Sequence, residues 1–169
     1  MKFIDEFGVN LVMTRLYGRA PKGERVVGSI PPNYGPNVTM LGALGAQGLQ
    51  AVMTVEGPMD TAVFRAYIQQ VLGPTLTPGD IVVLDNLSVH KARSIQQMLA
   101  RRRVRLWYLP PYSPDLAPIE PCWSKVKTAL RRANARTRGA LDHAITSVLP
   151  TVTEVDAHGW FHHCGYALY

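Results

Sequence analysis

The feature that most constrains this chain is the run Ile81-Val82-Val83-Leu84, followed at once by Asp85-Asn86. Four consecutive apolar residues without alternation read as a strand buried on both faces, because a strand with one wet face alternates. Helices have to supply the cover, which points to a layered α/β arrangement. A carboxylate at the tip of such a strand is costly to desolvate, so Asp85 calls for a partner or a metal ion.

The flanking sequence fits this layout. Phe3-Ile4 leading into Asp5 reads as a short strand. Gly8 is then expected to turn the chain into a second strand from Val9 to Met13. Residues Tyr17 to Pro36 are rich in Gly, Pro and basic side chains and read as loop, with room for a short strand over Arg25 to Ile30. Val38 to Leu44 and Ala51 to Val55 are the next strands, joined by the turn-forming Gly45-Ala46-Gln47-Gly48. Asp60 is placed as the N-cap of a helix carrying Val63, Phe64, Tyr67, Ile68, Val71 and Leu72, which Gly73-Pro74 ends. A helix from Ala92 to Arg101 and a strand from Val104 to Tyr108 follow. Pro110, Pro111, Pro114 and Pro118 stiffen the next stretch as an extended loop. Two helices, Ile119 to Arg132 and Gly139 to Leu149, are expected to close the chain. The result is one mixed α/β domain over residues 1–169, its order that of a ribonuclease-H-like fold, although pattern alone leaves other mixed sheets open.

Only 12 acidic residues occur, and Asp5, Asp85 and Glu120 sit where chemistry could use them. Two close strands and the third opens a helix behind the proline-stiffened loop. Singly, each has an ordinary explanation: a strand-end turn, an Asx turn with Asn86, a first-turn helix charge. Together, two strand tips and one helix start can converge, and three carboxylates bind hard divalent cations such as Mg²⁺ or Mn²⁺ through oxygen. Two such ions would clamp the attacking and leaving oxygens of a phosphoryl displacement.

The helix that begins at Glu120 adds to the case. Ile119, Cys122, Trp123, Val126 and Leu130 make an apolar stripe to pack on the sheet. Glu120, Ser124, Lys127 and Arg131 fall on another stripe, so basic side chains continue the face that carries the carboxylate. That suits a phosphate backbone. Lys125 is a further candidate, balanced against a role as a solvated surface charge. The formal net charge of +6 points the same way, to a polyanionic partner. Two cysteines cannot build a disulfide framework and fit a reducing cytosol. No apolar run is long enough to span a membrane.

These residues resemble a family. Ile81 to Asn86 with His90-Lys91, and then Leu109-Pro110-Pro111-Tyr112-Ser113-Pro114-Asp115-Leu116-Ala117-Pro118-Ile119-Glu120, look like bacterial insertion-sequence transposases of the mariner superfamily, the insertion-sequence 630 group. Phe3-Ile4-Asp5-Glu6 matches that family's first aspartate, and the 34 residues between Asp85 and Glu120 match its second spacing. Gly57 to Asp60, Phe64 and Gly165-Tyr166 also fit. The resemblance implies a ribonuclease-H-like core with a central mixed five-stranded sheet flanked by helices. It implies an enzyme that cleaves transposon ends hydrolytically and joins the 3′-hydroxyl to target DNA with two Mg²⁺ or Mn²⁺ ions held by Asp5, Asp85 and Glu120. Asn86 and His90 become their supports, and Lys91 and Arg93 join Ser124, Lys125, Lys127 and Arg131 as DNA contacts. A homodimer acting in the bacterial cytoplasm, nucleoid-associated when bound to DNA, is implied too. The family's usual N-terminal helix-turn-helix region is expected to be absent here, so an upstream polypeptide is a candidate partner. Alternatives are a ribonuclease-H-like nuclease or resolvase, and a truncated transposase that binds DNA or dimerises without turnover.

Two clusters stand outside this scheme. Arg101-Arg102-Arg103 with Arg105 can either contact phosphate or cover a helix end, and is read as a DNA contact. His158, His162, His163 and Cys164 lack the ligand spacing of a structural zinc site and read instead as interfacial or core residues. Trp107 and Tyr108 are read as core or strand-face residues.

Overall fold

The apolar run forms strand β4 (Ile81–Leu84), with Val82, Val83 and Leu84 buried. In the computed structural model, which describes residues 1–167, β4 lies between β1 (Lys2–Val9) and β5 (Arg105–Tyr108) and is parallel to both. β2 (Val38–Gly45) and β3 (Gly48–Glu56) extend the sheet antiparallel beyond β1. The order is β3-β2-β1-β4-β5. Parallel strands need crossovers, and helices provide them here. α1 (Thr61–Tyr67) starts at Asp60, whose Oδ1 accepts from the Val63 N–H at 2.8 Å. It runs on through a π-helical turn, Ile68–Leu72, before β4. α2 (Arg93–Arg101) joins β4 to β5. α3 (Ile119–Ala133), α4 (Arg138–Val148) and α5 (Glu154–His163) complete the chain.

Side chains alternate across a strand, so each residue's parity assigns it to a face. Phe3, Phe7 and Val9 of β1 and Val83 of β4 enter a core with Trp123, Val126, Leu141 and Phe161 from α3, α4 and α5. Ile4, Val82 and Leu84 enter a second core with Phe64, Tyr67, Ile95 and Leu99 from α1 and α2. The sheet is thus covered on both faces.

Four expectations change. The first strand does not break at Gly8: β1 runs through it, with Gly8 opposite Thr39 and Val9 opposite Val38. The expected strand Val9 to Met13 does not form. Beyond Val9, Asn10 Oδ1 accepts from the Val12 N–H at 3.2 Å, and the Leu11 and Met13 carbonyls accept from Arg136 Nη1 at 2.6 and 3.0 Å. Those backbone groups are held by side chains, so no ladder forms there. Arg25 to Ile30 is likewise no strand; these residues lie exposed on the long β1–β2 connection. Finally, a third closing helix, α5, follows the two expected. Its start carries a capping box in which Thr153 Oγ1 accepts from the Asp156 N–H and the Asp156 carboxylate accepts from the Thr153 N–H. No helix of the described residues is long and apolar enough to cross a membrane.

Candidate active site

Parity and register together place the three acids. Lys2 pairs with Val82 and Phe3 with Val83 in the parallel β1–β4 ladder, so continuing it two places sets Asp5 beside Asp85. Both have the parity of Phe3 and Val83 and belong to the α3 face. Glu120 is exposed in the first turn of α3 on that same face. All three line one cavity of about 430 Å³, together with Asn86, Pro111 and Tyr112.

Gly42 explains how α3 comes so close. It lies opposite Asp5 on β2, and a Cβ there would stand 2.7 Å from Trp123 Cη2 and 3.0 Å from Leu49 Cδ1. The absent side chain leaves room for the Trp123 ring, which also packs on Phe7 with centroids 4.7 Å apart. Trp123 seats α3 on the sheet one turn after Glu120. The loop before α3 is tied down as well. Asn86 Nδ2 donates to the Leu109 carbonyl, and the Tyr166 hydroxyl donates to the Leu116 carbonyl at 2.8 Å. Within it Tyr112 is fully exposed and holds a left-handed φ of 55°.

The electrostatics suit a cation. Burial, then the neighbouring Glu6 and, more weakly, Glu120 and Asp85, raise the Asp5 carboxyl to about 7. Asp85 is also pushed upward by burial, but hydrogen bonds from His90 and from the Leu87 N–H hold it below the usual carboxylate range. His90 is fully buried, and burial opposes its charge. Its bond to Asp85 and the nearness of Glu6 prevail and raise it to about 9. Among the described residues, no three His, Cys, Asp or Glu side chains are already drawn together as a metal cluster. The three acids share a cavity without being gathered on a point, and the four His and Cys residues at the chain's end form no metal-binding group.

The other predicted residues divide. Asn86 and His90 both touch the Asp85 turn. Lys91 and Arg93 are exposed just beyond it, Lys91 Nζ lying 5.9 Å from the Tyr108 ring centroid. On α3, Ser124 is exposed and Lys127 lies over the Phe7 ring at 4.9 Å, with half-buried Arg131 further along. Lys125 points to α5 instead, where its Nζ donates to Asp156 Oδ2 at 2.6 Å. The arginine run is remote from the cavity: Arg105 pairs with Ile81 at the opposite end of β4. Arg102 there donates to the Gly73 carbonyl at 3.0 Å. Trp107 is half exposed on the edge strand, while His158, His162 and His163 are exposed. Glu6 went unnoticed in the sequence because it adjoins Asp5; its parity sends it to the other face, against His90.

A mixed five-stranded sheet carries carboxylates on a central strand, just past the end of its neighbour and at a helix start, and residues 1–142 match the DDE superfamily endonucleases. The chain belongs to that family. It is 27% identical over 105 residues to the Tcb2 transposase of Caenorhabditis briggsae, covering 60% of this chain and 38% of the relative. To the Tcb1 transposase of the same nematode it is 28% identical over 128 residues, covering 71% and 47%. The Mos1 strand transfer complex superposes with a TM-score of 0.72 at 16% identity, covering 96% of this chain and 50% of Mos1. That likeness is one of fold, and the fold is ribonuclease-H-like. Mos1 paired-end complexes have been solved with Mn and with Mg. This chain spans less than half the length of the two nematode transposases and half that of Mos1 in the strand transfer complex.

Proposed function

We propose that this chain is the catalytic domain of a cut-and-paste DNA transposase that cleaves transposon ends and joins the 3′-hydroxyl to target DNA, with Asp5, Asp85 and Glu120 as its metal ligands. The observation that carries the reading is the convergence of three carboxylates from β1, β4 and α3 on one cavity of a DDE-family fold. The donor set fits Mg²⁺ or Mn²⁺. All its donors are hard oxygens, and a cation would offset both the burial and the neighbouring negative charge that raise Asp5. Two such ions, when bound, would activate the attacking hydroxyl and stabilise charge on the leaving oxygen.

The protein's own groups do the rest. Asn86 straps the β4 tip to the loop that delivers Glu120, and His90 holds the Asp85 carboxylate. Ser124, Lys127 and Arg131 lie along the helix that starts at Glu120, and Lys91 and Arg93 flank the Asp85 turn. Together they offer phosphate contacts on both sides of the cavity. Lys125, engaged by Asp156, is the weakest of the predicted contacts.

We assign the chain to the bacterial insertion-sequence 630 group on the block Leu109 to Glu120 and the Asp85–Glu120 spacing, and hence to the cytoplasm. The paired-end complex of Mos1 supports a homodimer, and an upstream helix-turn-helix polypeptide is the candidate partner for end recognition. The test is nicking of supercoiled plasmid by the purified chain with Mn²⁺, beside Asp85→Ala and Glu120→Gln. Metal-dependent nicking by the wild type alone is expected. Nicking that survives in both variants would refute the assignment.

A further inference from the structure

The α1–α2 face of the sheet holds an acid that the proposed chemistry does not use. Glu6 follows Asp5 on β1 but points to the opposite face, where its side chain is 15% exposed. Its Oε2 lies 3.5 Å from His90 Nε2, too long for a hydrogen bond but within reach of an ion pair. Neither atom has a hydrogen-bond partner among the described residues. A carboxylate oxygen left so on the face whose core holds Ile4, Leu41 and Phe64 is costly unless it does something for its neighbour.

That neighbour is held on every side. The Phe64 ring packs on the imidazole with centroids 4.5 Å apart, and the Tyr108 hydroxyl donates to the His90 carbonyl at 3.0 Å. His90 Nδ1 donates to Asp85 Oδ1 at 2.6 Å, and the Leu87 N–H donates to the same oxygen at 2.9 Å. Both bonds fall on Oδ1, which leaves Oδ2 with no hydrogen bond among the described residues. The Asp85 carboxylate therefore has one oxygen committed to the protein and one available to the cavity. The geometry points to Glu6 as a positioning residue: by fixing the outer nitrogen of His90 it holds the imidazole against Asp85 Oδ1, and so presents Oδ2 to a divalent cation. This rests on the reading of Asp85 as a metal ligand. Outer partners of this kind orient ligands to hard and soft metals alike, and their loss weakens binding by about 10–100-fold.

The test measures Mn²⁺ binding to the full chain by electron paramagnetic resonance, together with the Mn²⁺ concentration that half-saturates plasmid nicking. Glu6→Leu suits the apolar surroundings and keeps the fold, but removes the partner of His90. Glu6→Gln removes the same charge and keeps an acceptor oxygen. Expected are a Mn²⁺ affinity about tenfold weaker in Glu6→Leu, at an undiminished melting temperature, and one within about threefold of wild type in Glu6→Gln. In a His90→Gln background, Glu6→Leu should add little, because Glu6 acts through His90. Wild-type affinity in Glu6→Leu, or fully additive losses in the double variant, would overturn the role. A wild type that binds no Mn²⁺ would instead overturn the metal-ligand reading of Asp85.

Discussion

The two faces of this sheet are built from the same strands but differ in what they demand of them. The α3 face takes Phe3, Phe7 and Val83 into its core and leaves Asp5 and Asp85 at the edge of a cavity. The α1–α2 face takes Ile4, Val82 and Leu84 and closes over Glu6 and His90. Neighbouring residues in the chain, Asp5 and Glu6, thereby acquire different environments through alternation alone. The open face gathers three carboxylates around one cavity, while the closed face holds the Asp85 carboxylate through buried His90.

Substitutions that separate the faces give the clearest tests. The largest effect belongs to Asp85→Ala or Glu120→Gln. Each should lower metal-dependent nicking by about a thousandfold or more, several kcal/mol of transition-state stabilisation, while gel-shift binding to DNA persists. If DNA binding falls in parallel, the residues hold the fold and are not specialised ligands.

Gly42→Ala comes next, because its Cβ would stand 2.7 Å from the rigid Trp123 ring. Overpacking should cost about 1–3 kcal/mol, seen as a fall of about 2–12 °C in melting temperature. Nicking should fall further than that loss of folded protein explains, since α3 carries Glu120. Leu41→Ala on the closed face should cost about 2–5 kcal/mol in stability and leave the activity of the folded fraction near wild type. Similar activity losses in the two variants would erase the distinction between the faces.

A smaller effect concerns pH. With the Asp5 carboxyl raised from 3.8 to about 7, the folded protein keeps a proton that the unfolded chain has already released between those values. Stability of the metal-free protein should therefore fall as pH rises through that window. Asp5→Asn should flatten this trend and melt several degrees higher than the metal-free wild type above pH 7. Identical melting profiles for the two proteins would mean that Asp5 is better solvated than the cavity suggests.

The smallest difference is between two lysines of α3. Lys127→Ala should weaken nonspecific DNA binding and reduce the salt slope by about 1. Lys125→Ala should barely change that slope and cost about 0.2–1 kcal/mol of stability through its half-exposed pair with Asp156. Equal salt slopes would return Lys125 to the DNA-contact set.

Much of this organisation was legible in the residues. β4 announced itself because both of its faces are buried, and α3 because Ile119, Cys122, Trp123, Val126 and Leu130 repeat at helical spacing. Asp85 and Glu120 stood out at element ends, whereas Asp5, expected at the end of its strand, lies in the middle of β1 because the strand continues through Gly8 to Val9. α5 did not stand out, since within it only Ala157 and Phe161 are buried and the helix-disfavouring Gly159 lies in its interior. The pair Thr153 and Asp156 was the overlooked signal. Gly8 misled because a glycine in a strand reads as a turn until its partner Thr39 is known. Glu6 depends on a contact with His90 from a distant part of the chain, which local spacing does not encode.

The most direct test of the two-face account is anomalous diffraction from crystals of the chain soaked in Mn²⁺. The account predicts manganese peaks in the cavity bounded by Asp5, Asp85 and Glu120, with Asp85 ligating through Oδ2. Peaks confined to other sites, or ligation through the Oδ1 that His90 now occupies, would contradict it.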